Sequence, residues 1–188
     1  KYLIVYHLED NDGCCSAAIF KYYLVNNLNV PESNIGLFPA TYAILDTVMA
    51  NNFSEFAGYD VLIMTDISFN NFTAMEMVYD MFGKANFTWV DHHAPIIKTS
   101  IEKKYDTLIN GVRDTSRSAI LNAYKESFEE YLTGLGINFS KDDDIYFLQE
   151  CPGKNIFENI QGKSCNPGTI FADFLKQFEN KSNSINRI

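Results

Sequence analysis

Basic residues are scarce in this chain. Fifteen lysines and arginines stand against 24 acids, a formal net charge of −9 at pH 7. Such a field does not draw in a long polyphosphate backbone, so long duplex nucleic acid is not an expected partner. No apolar run approaches the ~20 residues of a membrane-spanning helix, and no membrane partner is expected either. The opening "KYLIVYHLED" is apolar, but too short and too soon acidic for a secretory signal. The four cysteines are Cys14, Cys15, Cys151 and Cys165, with no C-x-x-C spacing among them. That argues against a zinc pattern or a disulfide framework, and reduced thiols in a cytoplasmic setting are the expectation. Repeats and low-complexity tracts are missing as well. Histidine occurs three times in 188 residues, and two of the three are adjacent.

Apolar residues make up 46% of the chain and charged residues 21%, enough to bury a core and to exclude wholesale disorder. Short apolar, β-rich runs at 2–7, 34–40, 59–66 and 86–91 read as strands. They alternate with helical spacing at 16–27 (capped by Ser16), 42–52 and 73–82. This alternation predicts an α/β fold, a doubly wound and mainly parallel sheet with helices on both faces. After Pro95 the pattern blurs. Residues 105–114 read as a short strand and turn, and 116–132, 140–151 and 166–180 as helices. The organisation expected is an α/β core over 1–115 and a helical extension of the same domain over 116–188.

The polar residues collect at strand ends. The first strand leads to His7, Asp10, Asp12 and Gly13, the third to Asp66, and the fourth to Asp91, His92 and His93. In a parallel sheet all carboxyl ends lie along one edge, so these segments converge there. Carboxylates gathered out of water repel one another strongly unless cations compensate. Imidazole mixed with carboxylate suits Mn²⁺, Fe²⁺, Co²⁺ or Zn²⁺ better than Ca²⁺ or Mg²⁺. Enough ligands are present for two ions bridged by a carboxylate, an arrangement used for in-line phosphoryl displacement. Gly13 would permit a tight turn against the site, with the following helix presenting its N-terminus to a phosphate.

The stretches "YHLEDNDGCCSAAIF", "VLIMTDIS" and "WVDHHAP", in this order and spacing, resemble the first three motifs of the DHH phosphoesterases. That family includes manganese-dependent pyrophosphatases, single-strand exonucleases and nanoRNases. The resemblance covers residues 2–95. It implies two Mn²⁺ ions, with Mg²⁺, Co²⁺ or Fe²⁺ as substitutes. His7 and Asp10 would hold one ion, Asp12 and His92 the other, and Asp66 would bridge them. His93 would face the scissile phosphate, with Asp91 orienting the histidine pair.

Departures from the family pattern are also present. The first motif here is H-x-x-D-x-D-G where many members have H-x-D-x-D-G, a shift that leaves His7 or Glu9 in the ligand role, with His7 favoured. The fourth-motif aspartate is not evident. Glu150 fills it by position, with Asp144 and Asp114 as rivals. The histidine-bearing motif of the family's second domain is missing, since no histidine follows His93. The segment "GVRDTSRSAI" resembles one that closes the site, so Arg113 and Arg117 either pair with a terminal phosphate or are simply solvated. The acidic chain points to small nucleotides or short oligonucleotides as substrates. Pyrophosphate or polyphosphate hydrolysis, and a weakened nucleotide-binding regulatory module, are the rival functions. An oligomer stays open, and the asparagine-rich composition hints at a phage gene expressed in a host cytoplasm.

Overall fold

The computed structural model describes residues 1–116 and, beyond them, 118–120, 122, 123 and 126. The helices expected at 140–151 and 166–180 lie outside the described residues, as does most of the 116–188 extension. Four apolar runs form the strands β1 (Tyr2–His7), β2 (Ile35–Ala40), β3 (Val61–Thr65) and β4 (Phe87–Val90). They pair in parallel throughout, in the order β2-β1-β3-β4. Helices α1 (Asn11–Asn26), α2 (Tyr42–Ala50), α3 (Phe72–Phe82) and α4 (Ala94–Glu102) alternate with them. The expected doubly wound α/β fold is what the chain adopts. No helix among the described residues is long and apolar enough to cross a membrane.

Side-chain alternation along β1 shows why the strands read as unbroken apolar runs. Leu3 and Val5 enter one core, with Leu45 and Val48 of α2, Met75 and Val78 of α3, and Ile97 of α4. Ile4 and Tyr6 enter a second core on the opposite face, with Ala18, Phe20 and Leu24 of α1, and with Ile120 and Ala123. A sheet covered on both faces needs apolar residues at every position. Each fully buried aliphatic or aromatic side chain contributes roughly 1.5–3 kcal/mol.

The strand order also creates the crevice. The chain leaves β1 for β2 by way of α1, then crosses back over β1 to reach β3 by way of α2. Right-handed crossovers running in opposite directions place their helices on opposite faces. The segments leaving β1 and β3 therefore diverge, and the gap between their carboxyl ends is where ligands bind in folds of this kind.

One local expectation needs correction, and one helix was unexpected. Ser16 is not the cap of α1. It is buried within the helix and donates to the Gly13 carbonyl, 2.9 Å away. Asp10 is the cap, accepting from the Gly13 N–H at 2.9 Å, so the polar "DNDG" run is the first turn of the helix rather than a loop before it. Helix α4 was not anticipated. Its signals were Pro95 in the first turn and the inward spacing of Ile97 and Ser100.

The strand expected within 105–114 reduces to two isolated parallel bridges, Thr88 of β4 to Asn110 and Asp91, just beyond β4, to Arg113. Arg113 fastens this turn. Its Nε donates to Asp106 Oδ1 at 2.8 Å, Nη1 to the carbonyls of Trp89 and Asn110, and Nη2 to those of Asp106 and Ile109. All five donors are taken, the guanidinium lies 5.2 Å from the Trp89 ring centre, and the side chain is only 5% exposed. The expectation that Arg113 clamps a substrate phosphate is therefore corrected, because no donor remains to reach one. Arg117 lies outside the described residues. Replacing a five-point planar fork by a single ammonium, Arg113→Lys, is expected to lower the unfolding free energy by about 3 kcal/mol in urea titrations. Wild-type stability in that variant would contradict the anchoring role.

Candidate metal centre

The strand register builds the site. Tyr6 pairs with Thr65, and Thr65 with Val90, so the three strands end nearly level. The next residues along them are His7, Asp66 and Asp91. Adjacent strands lie ≈ 4.8 Å apart, which puts these three side chains in a row. Asp66 carries the ladder one step further, its N–H donating to the Val90 carbonyl at 2.9 Å. It does so with φ 59°, a left-handed conformation that an L residue adopts only at some cost. Gly13 lets the first turn of α1 close on β1. A Cβ there would sit 2.1 Å from the His7 carbonyl oxygen, so no other residue fits.

Asp66 is the centre of the arrangement. Its carboxylate is fully buried, and neither oxygen has a hydrogen-bond partner among the described residues. His7 Nδ1 stands 3.7 Å from Oδ2 and His92 Nε2 3.2 Å from Oδ1, close but without hydrogen-bond alignment. One oxygen thus faces each histidine. Two groups of potential ligand atoms form around it, His7–Asp10–Asp66 and Asp66–His92–His93, each with its atoms within 4.8 Å of one another. Asp66 is the member they share.

Asp91 does different work. Its Oδ1 accepts from the backbone N–H groups of His92 and His93, at 2.7 and 3.1 Å, and from His93 Nδ1 at 2.6 Å. Its Oδ2 accepts from the Trp89 indole at 3.0 Å. This carboxylate holds the His93 ring with Nδ1 committed and Nε2 left to face outward, in keeping with the orienting role the resemblance implies. The His92 and His93 rings meet edge to face, 4.7 Å apart.

The remaining expected ligands divide. Asp10 Oδ2 lies 3.2 Å from His7 Nδ1 while its Oδ1 caps α1. Glu9 Oε2 stands 3.3 Å from His7 Nε2, so the two acids take opposite sides of the ring. Asp12 belongs to neither donor group. Its oxygens accept from the N–H groups of Ala119 and Ile120, at 2.8 and 2.7 Å, which ties a distant helix to α1. Its Oδ2 is nevertheless 3.5 Å from His92 Nε2. Asp114, a rival for the fourth ligand, accepts from the N–H and hydroxyl of Ser116 in a local turn. Glu150 and Asp144 lie outside the described residues.

Two participants were missed. Asn122 is buried and donates to the carbonyls of Asp91 and Asp114, both at 3.1 Å. A polar residue between the inward-facing Ala119 and Ala123 was its signal. Tyr42, the first residue of α2, brings its ring to 5.7 Å from that of His7. No sequence motif marked it.

Charge sets the protonation of the cluster. The Asp66 carboxylate raises His7 and His92 to about 9, against the opposing effect of burial. The Asp91 carboxylate raises His93. Burial, then repulsion from Asp66, pushes Asp12 up to about 6. Burial acts to raise Asp66 too, but the two histidines outweigh it and hold the carboxyl below its ordinary value. Burial and the neighbouring acids keep the Tyr42 hydroxyl protonated.

The residues fit a divalent cation. A buried carboxylate with two vacant oxygens is what an isolated fold would avoid, and imidazole nitrogens converge on it. Without metal, imidazolium takes the cation's place. Groups raised in the folded state stabilise it fully below their unfolded pKa and lose that contribution as pH climbs through the folded value. In chelator, stability is therefore expected to fall by several kcal/mol between pH 6.5 and 9. The measurement is the urea midpoint across that range, and a flat profile would contradict the pairing. No family model, curated protein or solved structure matches the chain.

Proposed function

We propose that this chain is a divalent-metal-dependent phosphoesterase of the DHH type, hydrolysing phosphodiester bonds of small nucleotides or short oligonucleotides. The observation that carries the reading is Asp66, a buried carboxylate without hydrogen-bond donors, set between two histidines at the switch point of a parallel sheet. His7, Asp10 and Asp66 would hold one ion, and Asp66 with His92 a second, Asp12 standing beside them. Mn²⁺ suits the mixed nitrogen and oxygen donors, with Mg²⁺, Co²⁺ and Fe²⁺ as alternatives. When bound, such ions supply Lewis acidity toward phosphoryl oxygens and lower the pKa of water.

The chain's own residues do the rest. Asp91 fixes the His93 ring, so that Nε2–H is directed away from the protein backbone. The same carboxylate raises the His93 imidazole and so favours its protonated form. It can donate a hydrogen bond to a phosphoryl oxygen as negative charge builds there. The net charge of −9 favours small substrates over long backbones, because attraction comes only from the site itself. The cytoplasm is the setting such substrates imply.

A second reading has one observation in its favour. Asp12 has both oxygens on backbone amides, so it is less available than the motif suggests. A nucleotide-binding module with a weakened second metal position would look this way. Metal titration separates the two, because two tight Mn²⁺ ions per chain support the enzyme and one or none supports the module.

Removing ligands on both sides of the centre, Asp66→Ala with His92→Ala, is expected to reduce Mn²⁺-dependent hydrolysis of the diadenylate pApA by about 10³-fold or more, consistent with several kcal/mol of lost transition-state stabilisation. Hydrolysis that survives this double substitution would defeat the assignment. Asp91→Asn, which sets an amide NH2 against either the Trp89 indole or the His93 donors and so weakens the hold on His93, is expected to cost about 10- to 100-fold in the same assay.

A further inference from the structure

A phosphate ester brings negative oxygens to a rim lined by acceptors, the carboxylates of Glu9, Asp10, Asp12, Asp66 and Asp91. Its non-metal contacts must come from donors that the protein has not already used. Most donors here are used. The N–H of Gly13 goes to Asp10, those of His92 and His93 to Asp91, and those of Ala119 and Ile120 to Asp12. Arg113, the cation the sequence offered for this task, is sealed in the fold.

Tyr42 is different. It opens α2 directly after β2, beyond the Thr41 cap, at the same carboxyl edge that carries His7 and Asp66. Its half-buried ring packs against the core that α2 helps to form. The ring lies 5.7 Å from His7 at a 58° tilt. Its hydroxyl has no hydrogen-bond partner among the described residues, although packing alone would be served as well by phenylalanine. Strand order adds a further point. With β2 at one edge and β4 at the other, Tyr42 and His93 flank the His7–Asp66 pair from opposite sides.

We infer that Tyr42 contacts the substrate, its hydroxyl donating a hydrogen bond to a phosphoryl oxygen at the β2 end of the site. The assignment rests on the phosphoesterase reading above for its substrate class. Tyrosine suits the position because it donates without adding a cation that would compete for the carboxylates. A neutral hydroxyl also leaves the metal-binding charge balance unchanged.

The test is Tyr42→Phe in the full chain loaded with Mn²⁺. The expected result is a loss of about 10- to 100-fold in kcat/KM on pApA, the range for one hydrogen bond to a charged group. Inorganic phosphate should inhibit about 10-fold more weakly, while Mn²⁺ affinity and thermal midpoint stay as in the wild type. Wild-type values of kcat/KM and of phosphate inhibition in Tyr42→Phe would overturn the inference, and a loss confined to Tyr42→Ala would overturn it in favour of ring packing. If the wild type shows no hydrolysis at all, the phosphoesterase reading fails separately, and direct titration of phosphate into the Mn²⁺-loaded proteins still decides on Tyr42. Weaker binding by Tyr42→Phe supports the contact, whereas equal or absent binding in both proteins removes it.

Discussion

A carboxylate closed off from water, with no hydrogen-bond donor at either oxygen among the described residues, is the constraint around which this structure is arranged. An unpaired charge at such a depth is expensive, and proteins neutralise it by proton uptake, by pairing or by a metal. Asp66 is placed there by sheet register, held in a left-handed conformation, and approached from both sides by imidazoles. The register leaves little freedom in this. Once β1, β3 and β4 end level, His7, Asp66 and Asp91 must share one edge, and the reversal of winding direction opens the space in front of them.

Four aspartates at this edge show that residue type does not determine role; the local donor supply does. Asp10 has one oxygen on the N–H of Gly13 and one turned toward His7. Asp91 is saturated by an indole, two backbone amides and an imidazole, so it can orient but has little left with which to bind. Asp12 bridges to residues more than a hundred positions away, and Asn122 reinforces that link through the Asp91 carbonyl. Asp66 alone has no such donor. Fold and site are therefore coupled, because the helix begun at Ala119 is anchored on the same aspartates that shape the centre.

This division explains what the sequence could and could not reveal. Strand runs buried on both faces are legible as unbroken apolar segments, and His7, Asp66 and Asp91–His93 fall at their ends, so the edge cluster followed from topology. The start of α1 did not, because "DNDG" has loop composition while Asp10 supplies a helix cap. Arg113 shows the limit more sharply. A cation near a motif that resembles a phosphoesterase's invites a functional reading, but its surroundings, the carbonyls of Trp89, Asp106 and Ile109, come together only through the turn it stabilises. Tyr42 was invisible for the opposite reason. Its relation to His7 depends on β2 pairing beside β1, a long-range fact that no local pattern encodes.

Charge balance suggests why one scaffold can serve with and without metal. Five carboxylates facing three imidazolium groups leave the rim two charges negative. On the proposed reading, two dications with His7 and His92 neutral and His93 still protonated bring it to zero. Exchange of protons for metal would thus change the local charge by two units, half of what the two ions bring. Binding would release protons from His7 and His92, since ligating nitrogens must give them up. The apolar layers on both faces of the sheet hold the edge in shape independently of its occupant. Metal would then act on chemistry more than on folding, unlike small domains whose structure forms only around the ion. This neutrality bears on the substrate: a metal-loaded rim without net charge would not repel a small phosphate ester, whereas the acidic surface beyond it would repel each further phosphate of a longer chain.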